Sequence, residues 1–134
     1  MGFKQTLKKI FSTSTETSEK HSNEDLQTHY YKSMKDKTIR EVETMLRNRQ
    51  GFDVASVSEE HGEIIVHVKH GKKAFLVATV IMVRPFRTAV DFSASTETML
   101  FSDFGYSRKL IIELYKELDK RLQFVGTGLG DDLV

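Results

Sequence analysis

A chain of 134 residues, 39% hydrophobic and 29% charged with one proline, has room for one core and the composition of a folded globular domain. Its net charge of +1 provides no field for nucleic acid or a strongly acidic partner. Cysteine is absent, which excludes disulfides, thiolate metal sites and a cysteine nucleophile.

No apolar run approaches the roughly 18 residues of a membrane span. The start has neither the long apolar stretch nor the cleavage site of a secretory signal, so the expected setting is the cytoplasm. Residues 1–11 carry Lys4, Lys8 and Lys9 with no acid, and place Phe3, Leu7, Ile10 and Phe11 at helical spacing. Such a basic amphipathic segment can rest on a membrane surface or dock on its own domain. Ser12 to Asn23 contains no aliphatic or aromatic residue and reads as a flexible Ser/Thr linker. The expected organisation is therefore residues 1–23 as segment and linker, 24–125 as one domain, and 126–134 as a Gly-rich acidic tail.

Leu26 to Gln50 reads as helix in two pieces. Thr38 and Glu41 form a capping box with Asp36 as a competing cap, and Ile39, Val42, Met45 and Leu46 make one apolar stripe. Leu26, Tyr30, Tyr31 and Met34 belong to the earlier piece. The period then changes to two. Phe52–Ser58, Glu63–Lys69, Ala74–Val83 and Arg87–Thr96 are separated by E-E-H-G, H-G-K and R-P-F, which predicts four strands in an antiparallel meander. Ala74–Val83 is apolar on both faces, as a central strand is. Leu110, Leu114, Leu118 and Leu122 recur every fourth residue and form the core stripe of a last helix. The predicted fold is a two-layer α+β domain in the order α-β-β-β-β-α, with both helices on one face.

The corner between the last strand and the last helix holds the unusual residues. Ser102 or Asp103 is the expected cap, which leaves Arg108 and Lys109 more than a turn inside the helix. Free N–H groups at that start, with Arg108 and Lys109, suit an anion. S-D-F-G-Y-S-R-K-L-I, preceded by V-D-F-S-A-S, resembles the terminal block of the bacterial and plant domain-of-unknown-function family fourteen-ninety-nine, which shows V-D-x-R-S-x-S-R, then G-x-S-D-F-G-x-N-R, then a helix. Here Ser93 or Ala94 and Thr96 or Thr98 stand in place of its arginines, Ser107 replaces its asparagine, and its glycine before S-D is missing. The resemblance implies the order of helix, strands and terminal block over Thr38–Leu122, and no known activity.

Catalytic patterns are not visible. D-F-G lacks the glycine loop and catalytic loop of a kinase, and no serine sits in a G-x-S-x-G elbow. G-T-G-L-G has no helix after it. His67 and His70 fall on different faces of a strand and its turn, and no H-E-x-x-H pattern occurs, so no metal and no cofactor is expected. With no nucleophile–base pair or paired carboxylates in the pattern, the reading leans away from an enzyme. Two helices cover one face of a four-stranded sheet, so one row of the central strand remains open: Ala74, Leu76, Ala78, Val80 and Met82, or else Phe75, Val77, Thr79, Ile81 and Val83. The leading expectation is an interaction or self-association module, a homodimer or a protein complex, that uses this face. A small-molecule or anion binder at the corner and a peripheral membrane protein held by residues 1–11 are the alternatives. The candidate binding residues are Asp91, Ser93, Ser95, Ser102, Asp103, Arg108 and Lys109.

Overall fold

The computed structural model describes residues 12–69, 73–97 and 105–130. Residues 1–11, the H-G-K turn, and Ser102 and Asp103 lie outside the described residues, so expectations placed on them are not taken further. The fold is α+β, with an antiparallel sheet and two helices. The strands are β1 (Ser12–Glu16), β2 (His29–Tyr31), β3 (Phe52–Ser58), β4 (Glu63–Val68), β5 (Ala74–Arg84), β6 (Arg87–Glu97) and β7 (Phe124–Thr127). The helices are α1 (Lys35–Arg47) and α2 (Tyr106–Arg121).

The meander β3-β4-β5-β6 forms as its alternation predicts, but the sheet has seven strands among the described residues rather than four. Beyond β6 come β2 and then β7, while β1 pairs with the other half of the same edge of β6. Ser12 to Glu16 align with Glu97 to Ser93, so the expected linker is in part a strand and the described fold starts well before Glu24. Five residues without an aliphatic side chain are held there by backbone pairing and give no hydrophobic signal. His29 to Tyr31, expected in a helix, is β2: two tyrosines suit a pleated surface, and the strand is ordered on both sides by β6 and β7. The tail expected from residue 126 also contributes, since Gly126 and Thr127 belong to β7, and the Gly128 N–H donates to the Thr28 carbonyl at 2.9 Å.

One row of β5 and its neighbours builds the core. Ile64, Val66 and Val68 on β4, Leu76, Ala78 and Val80 on β5, and Val90, Phe92 and Ala94 on β6 are buried beneath both helices. From α1 come Ile39, Val42, Met45 and Leu46, and from α2 come Leu110, Ile111, Leu114, Tyr115 and Leu118, so both predicted stripes face the sheet. On β3 strict alternation would turn Val57 outward. The register instead steps between Val54 and Ser56, a bulge that brings Val54 and Val57 both to the core side and leaves Ala55 and Ser56 exposed.

Neither helix starts where the capping residues suggest. α1 begins at Lys35 after Met34; Thr38 is fully buried one turn inside, with Oγ1 donating to the Met34 carbonyl at 2.8 Å. α2 begins at Tyr106 after Gly105, whose φ of 78° is left-handed. Arg108 and Lys109 therefore stand in or next to the first turn, where the helix dipole opposes cations by some tenths of a kcal/mol. The far ends of the helices are tied by charge: Arg121 reaches Glu41 (3.8 Å) and Glu117 (3.7 Å), and Arg49 reaches Glu117 (3.2 Å) and Glu113 (3.5 Å).

Candidate functional site

The uncovered face carries the other row of the sheet, and its register can be read strand by strand. Asp53, His67, Phe75, Ser95 and Ser14 form one line across it. The next holds Ser56, Ile65, Val77, Ser93 and Glu16, and the one after it Ser58, Glu63, Thr79 and Asp91. Towards the β5–β6 turn, Ile81 lies opposite Ala89, which lies opposite Tyr30. Phe75 is 41% exposed and Ile81 51%, and Ile65 and Val77 between them are only half buried. An apolar centre of this kind has a rim of both signs: Asp53, Glu16 and Glu63 against Lys69 and Lys73, with Lys69 Nζ 3.4 Å from Asp53. His67 meets the Phe75 ring edge-on at 5.5 Å.

At one margin the face is sealed by polar groups. β1 leaves β6 at Ser93 and β2 joins it at Val90, so the edge of Asp91 and Phe92 lies between them. Thr17 and Thr28 close this gap. Their hydroxyls donate to the same Asp91 oxygen at 2.7 and 2.6 Å, and Thr17 Oγ1 accepts the Phe92 N–H at 3.0 Å. Burial raises the Asp91 carboxyl above its ordinary pKa; the Thr28 and Thr17 hydroxyls oppose that rise, and the Glu19 carboxylate adds to it. Glu19 in turn accepts the Tyr30 hydroxyl and the Gly130 N–H, which secures the chain beyond β7. The Tyr30 phenol is pushed up by burial first and by Glu19 second.

On the helix side of the same gap, the Tyr115 hydroxyl donates to the Val90 carbonyl at 2.7 Å, and its ring stacks on His29 with centroids 3.6 Å apart. His29 Nδ1 lies 3.0 Å from Asp119, which also accepts the Tyr31 hydroxyl at 2.6 Å. A histidine–carboxylate contact is the geometry of an oriented base. His29 is 7% exposed, however, and ringed by Tyr31, Tyr115 and Phe124. What the arrangement does here is bind β2 to α2. The sequence does not reveal it, because Leu26–Gln50 reads as helix; the signal for a strand is the short β-prone run T-H-Y-Y.

The five candidate residues that are described, Asp91, Ser93, Ser95, Arg108 and Lys109, do not converge on one site. Asp91, Ser93 and Ser95 share the open face along β6, with Asp91 held by the threonines and Ser93 3.5 Å from Glu16. Arg108 and Lys109 stand at the start of α2 and line two different clefts. A cleft of about 400 Å³ is lined by Ser14, Thr15, Glu16, His21, Leu26, Gly105 and Arg108. Lys109 belongs to a second of about 430 Å³, with Arg49, Gln50, Phe52, Tyr106, Leu110 and Glu113. There the Arg49 guanidinium rests over the Phe52 ring at 5.1 Å, and its Nε is buried without a hydrogen-bond partner.

A scan against protein-family models finds no match to this chain, and a search of curated proteins finds none either. Among the described residues, no helix is long and apolar enough to cross a membrane.

Proposed function

We propose that this chain is a binding domain rather than an enzyme, and that it pairs with a second copy of itself through the open face of the sheet. The observation that carries the reading is the apolar centre of the open face, exposed Phe75 beside half-buried Ile65 and Val77. A contiguous patch of this kind marks a contact surface more often than bare solvent. Four strands at about 4.8 Å give a face about 15–19 Å wide, and seven residues along a strand give about 23 Å. The rim favours a copy over an unrelated partner. Acids (Asp53, Glu16, Glu63) and bases (Lys69, Lys73) both stand around one apolar centre, and a two-fold axis can bring opposite signs into register. Two such faces pack about 10 Å apart through interdigitating side chains, at an angle of about 30° set by the twist of each sheet.

Light scattering on the full chain tests this. The expected mass is twice the 15.4 kDa of one chain, falling to one chain in Phe75→Glu. A strict monomer at every concentration would sink the reading.

A second reading, a small anion held at the start of α2, is supported by the cleft that brings Arg108 and His21 beside Gly105. Thermal shifts with inorganic phosphate test it: stabilisation that disappears in Arg108→Gln favours it, and no shift in the parent protein opposes it. The S-D-F-G-Y-S-R block also supports placing the chain as a divergent relative of the family it resembles. That placement would be supported if an intermediate sequence restored the missing arginines.

A further inference from the structure

The β5–β6 hairpin runs on past the rest of the sheet. β4 stops at the Glu63–Thr79 pair, and on that side the Val80 N–H still donates to the Gly62 carbonyl at 2.6 Å. β2 leaves the other side after Tyr31 pairs with Thr88. On the β6 side β2 stays alongside as far as the Tyr31–Thr88–Met82 level, so the ribbon is free on both sides only beyond Met82, two steps of about 3.3 Å or roughly 7 Å to Arg84.

This end exposes apolar side chains on both faces and at its tip, with two arginines between them. Ile81 is on the open face, Met82 on the helix face, Val83 in the irregular step before the turn, and Phe86 in the turn itself. They are 51%, 36%, 45% and 55% exposed. Phe86 has a φ of 60°, in the left-handed region that glycine enters freely and a bulky side chain does not. A bulky aromatic residue thus occupies a turn position that glycine would fill without strain, and more than half of its surface is exposed. Arg84 and Arg87 face each other at the base of the turn, where Arg87 Nη1 donates to the Phe86 carbonyl at 3.3 Å, and exposed Lys32 follows the Tyr31–Thr88 pair. Glu59 and Glu60 are on the β3–β4 turn, which points to the same end of the sheet and is anchored at the Val80 level through Gly62, short of the Arg84–Arg87 tip.

We propose that this hairpin end is a wedge for the surface of an anionic lipid bilayer. Phe86 and Val83 enter the boundary between headgroups and acyl chains, Arg84, Arg87 and Lys32 meet the phosphates, and Met82 and Ile81 stand behind them against the headgroups. A protein groove covers one face of a ribbon, whereas a fluid interface surrounds a wedge on both faces and at its tip. The length also fits, since interfacial elements bury their apolar side about 5–10 Å deep. Three cations at one level complement a negative surface. Apart from Ile81 the wedge is separate from the face centred on Phe75, so it stands or fails independently of self-association.

The chain has no tryptophan, so Phe86→Trp in the full chain gives one reporter at the tip. With vesicles of phosphatidylcholine and phosphatidylserine, the expected result is a blue-shifted emission that brominated acyl chains quench. Phosphatidylcholine alone gives little change. Adding Arg84→Gln and Arg87→Gln weakens vesicle binding roughly thirty-fold, at about 1 kcal/mol for each cation. Unchanged emission with anionic vesicles overturns the proposal, even if residues 1–11 bring the protein to the membrane by another route. A blue shift that grows with protein concentration and without vesicles also overturns it, because the tip then docks on protein.

Discussion

Asp91 stands where two strands fail to meet, and its chemistry follows from that position. The carboxyl is desolvated and faces Glu19, so its pKa is raised above the unfolded value of 3.8. A raised group contributes stability that is present below that value and lost as pH climbs through the folded one. Asp91→Asn keeps an acceptor for Thr17 and Thr28 and removes the charge. Its stability relative to the parent protein is therefore expected to rise as pH climbs above about 4, the ordinary carboxylate range, as urea midpoints would show. A gain of the parent over the variant across that range contradicts the account. Thr17→Val keeps the shape but leaves the Phe92 N–H without its acceptor, a loss of about 1–3 kcal/mol by the same measurement. Asp91 was legible as an outward residue of β6 from alternation alone. Its threonine partners were not, because Thr17 lies 74 residues away in a stretch whose composition reads as linker.

The strands of the meander were legible for physical reasons that their neighbours lack. β4 and β6 alternate, β3 does so up to its bulge and β5 is a continuous apolar run, over six to eleven residues between turn-forming sequences, and such patterns survive without tertiary information. β1 has no aliphatic side chain, β2 has three residues and β7 has four with a glycine, so each depends on β6 or β2 for its existence. The start of α2 was misplaced because serine and aspartate suggested a cap, while the left-handed backbone at Gly105 sets it. Two turns make predictions of opposite sign. At Phe86 glycine relieves a left-handed strain of about 1–3 kcal/mol and gives back part of it as unfolded-chain entropy, so Phe86→Gly is expected to raise the thermal midpoint. At Gly62 a Cβ would stand 2.1 Å from the Val80 carbonyl oxygen, with φ already at 65°. Gly62→Ala is expected to cost at least about 2 kcal/mol, and a midpoint unchanged in denaturant would contradict the packing of that turn against β5.

At the scale of the molecule, the organising fact is a sheet covered by helices on one face only. That imbalance could be read from A-F-L-V-A-T-V-I-M-V, since a strand apolar on both faces needs two covers and the chain predicts helices for one. Which row remains open depends on the register between strands, and pairing settles it as the row of Phe75, Val77 and Ile81. The candidate residues on β6 belong to that face, whereas Arg108 and Lys109 are carried elsewhere by α2. A dilution series followed by methyl NMR tests the proposed pairing most directly. The methyl groups of Ile65, Val77 and Ile81 are expected to shift together as the protein is diluted, while those of buried Ile39 and Ile111 stay fixed, and Phe75→Glu gives the dilute spectrum at every concentration. Methyl signals of the open face that ignore concentration in the parent protein would contradict it.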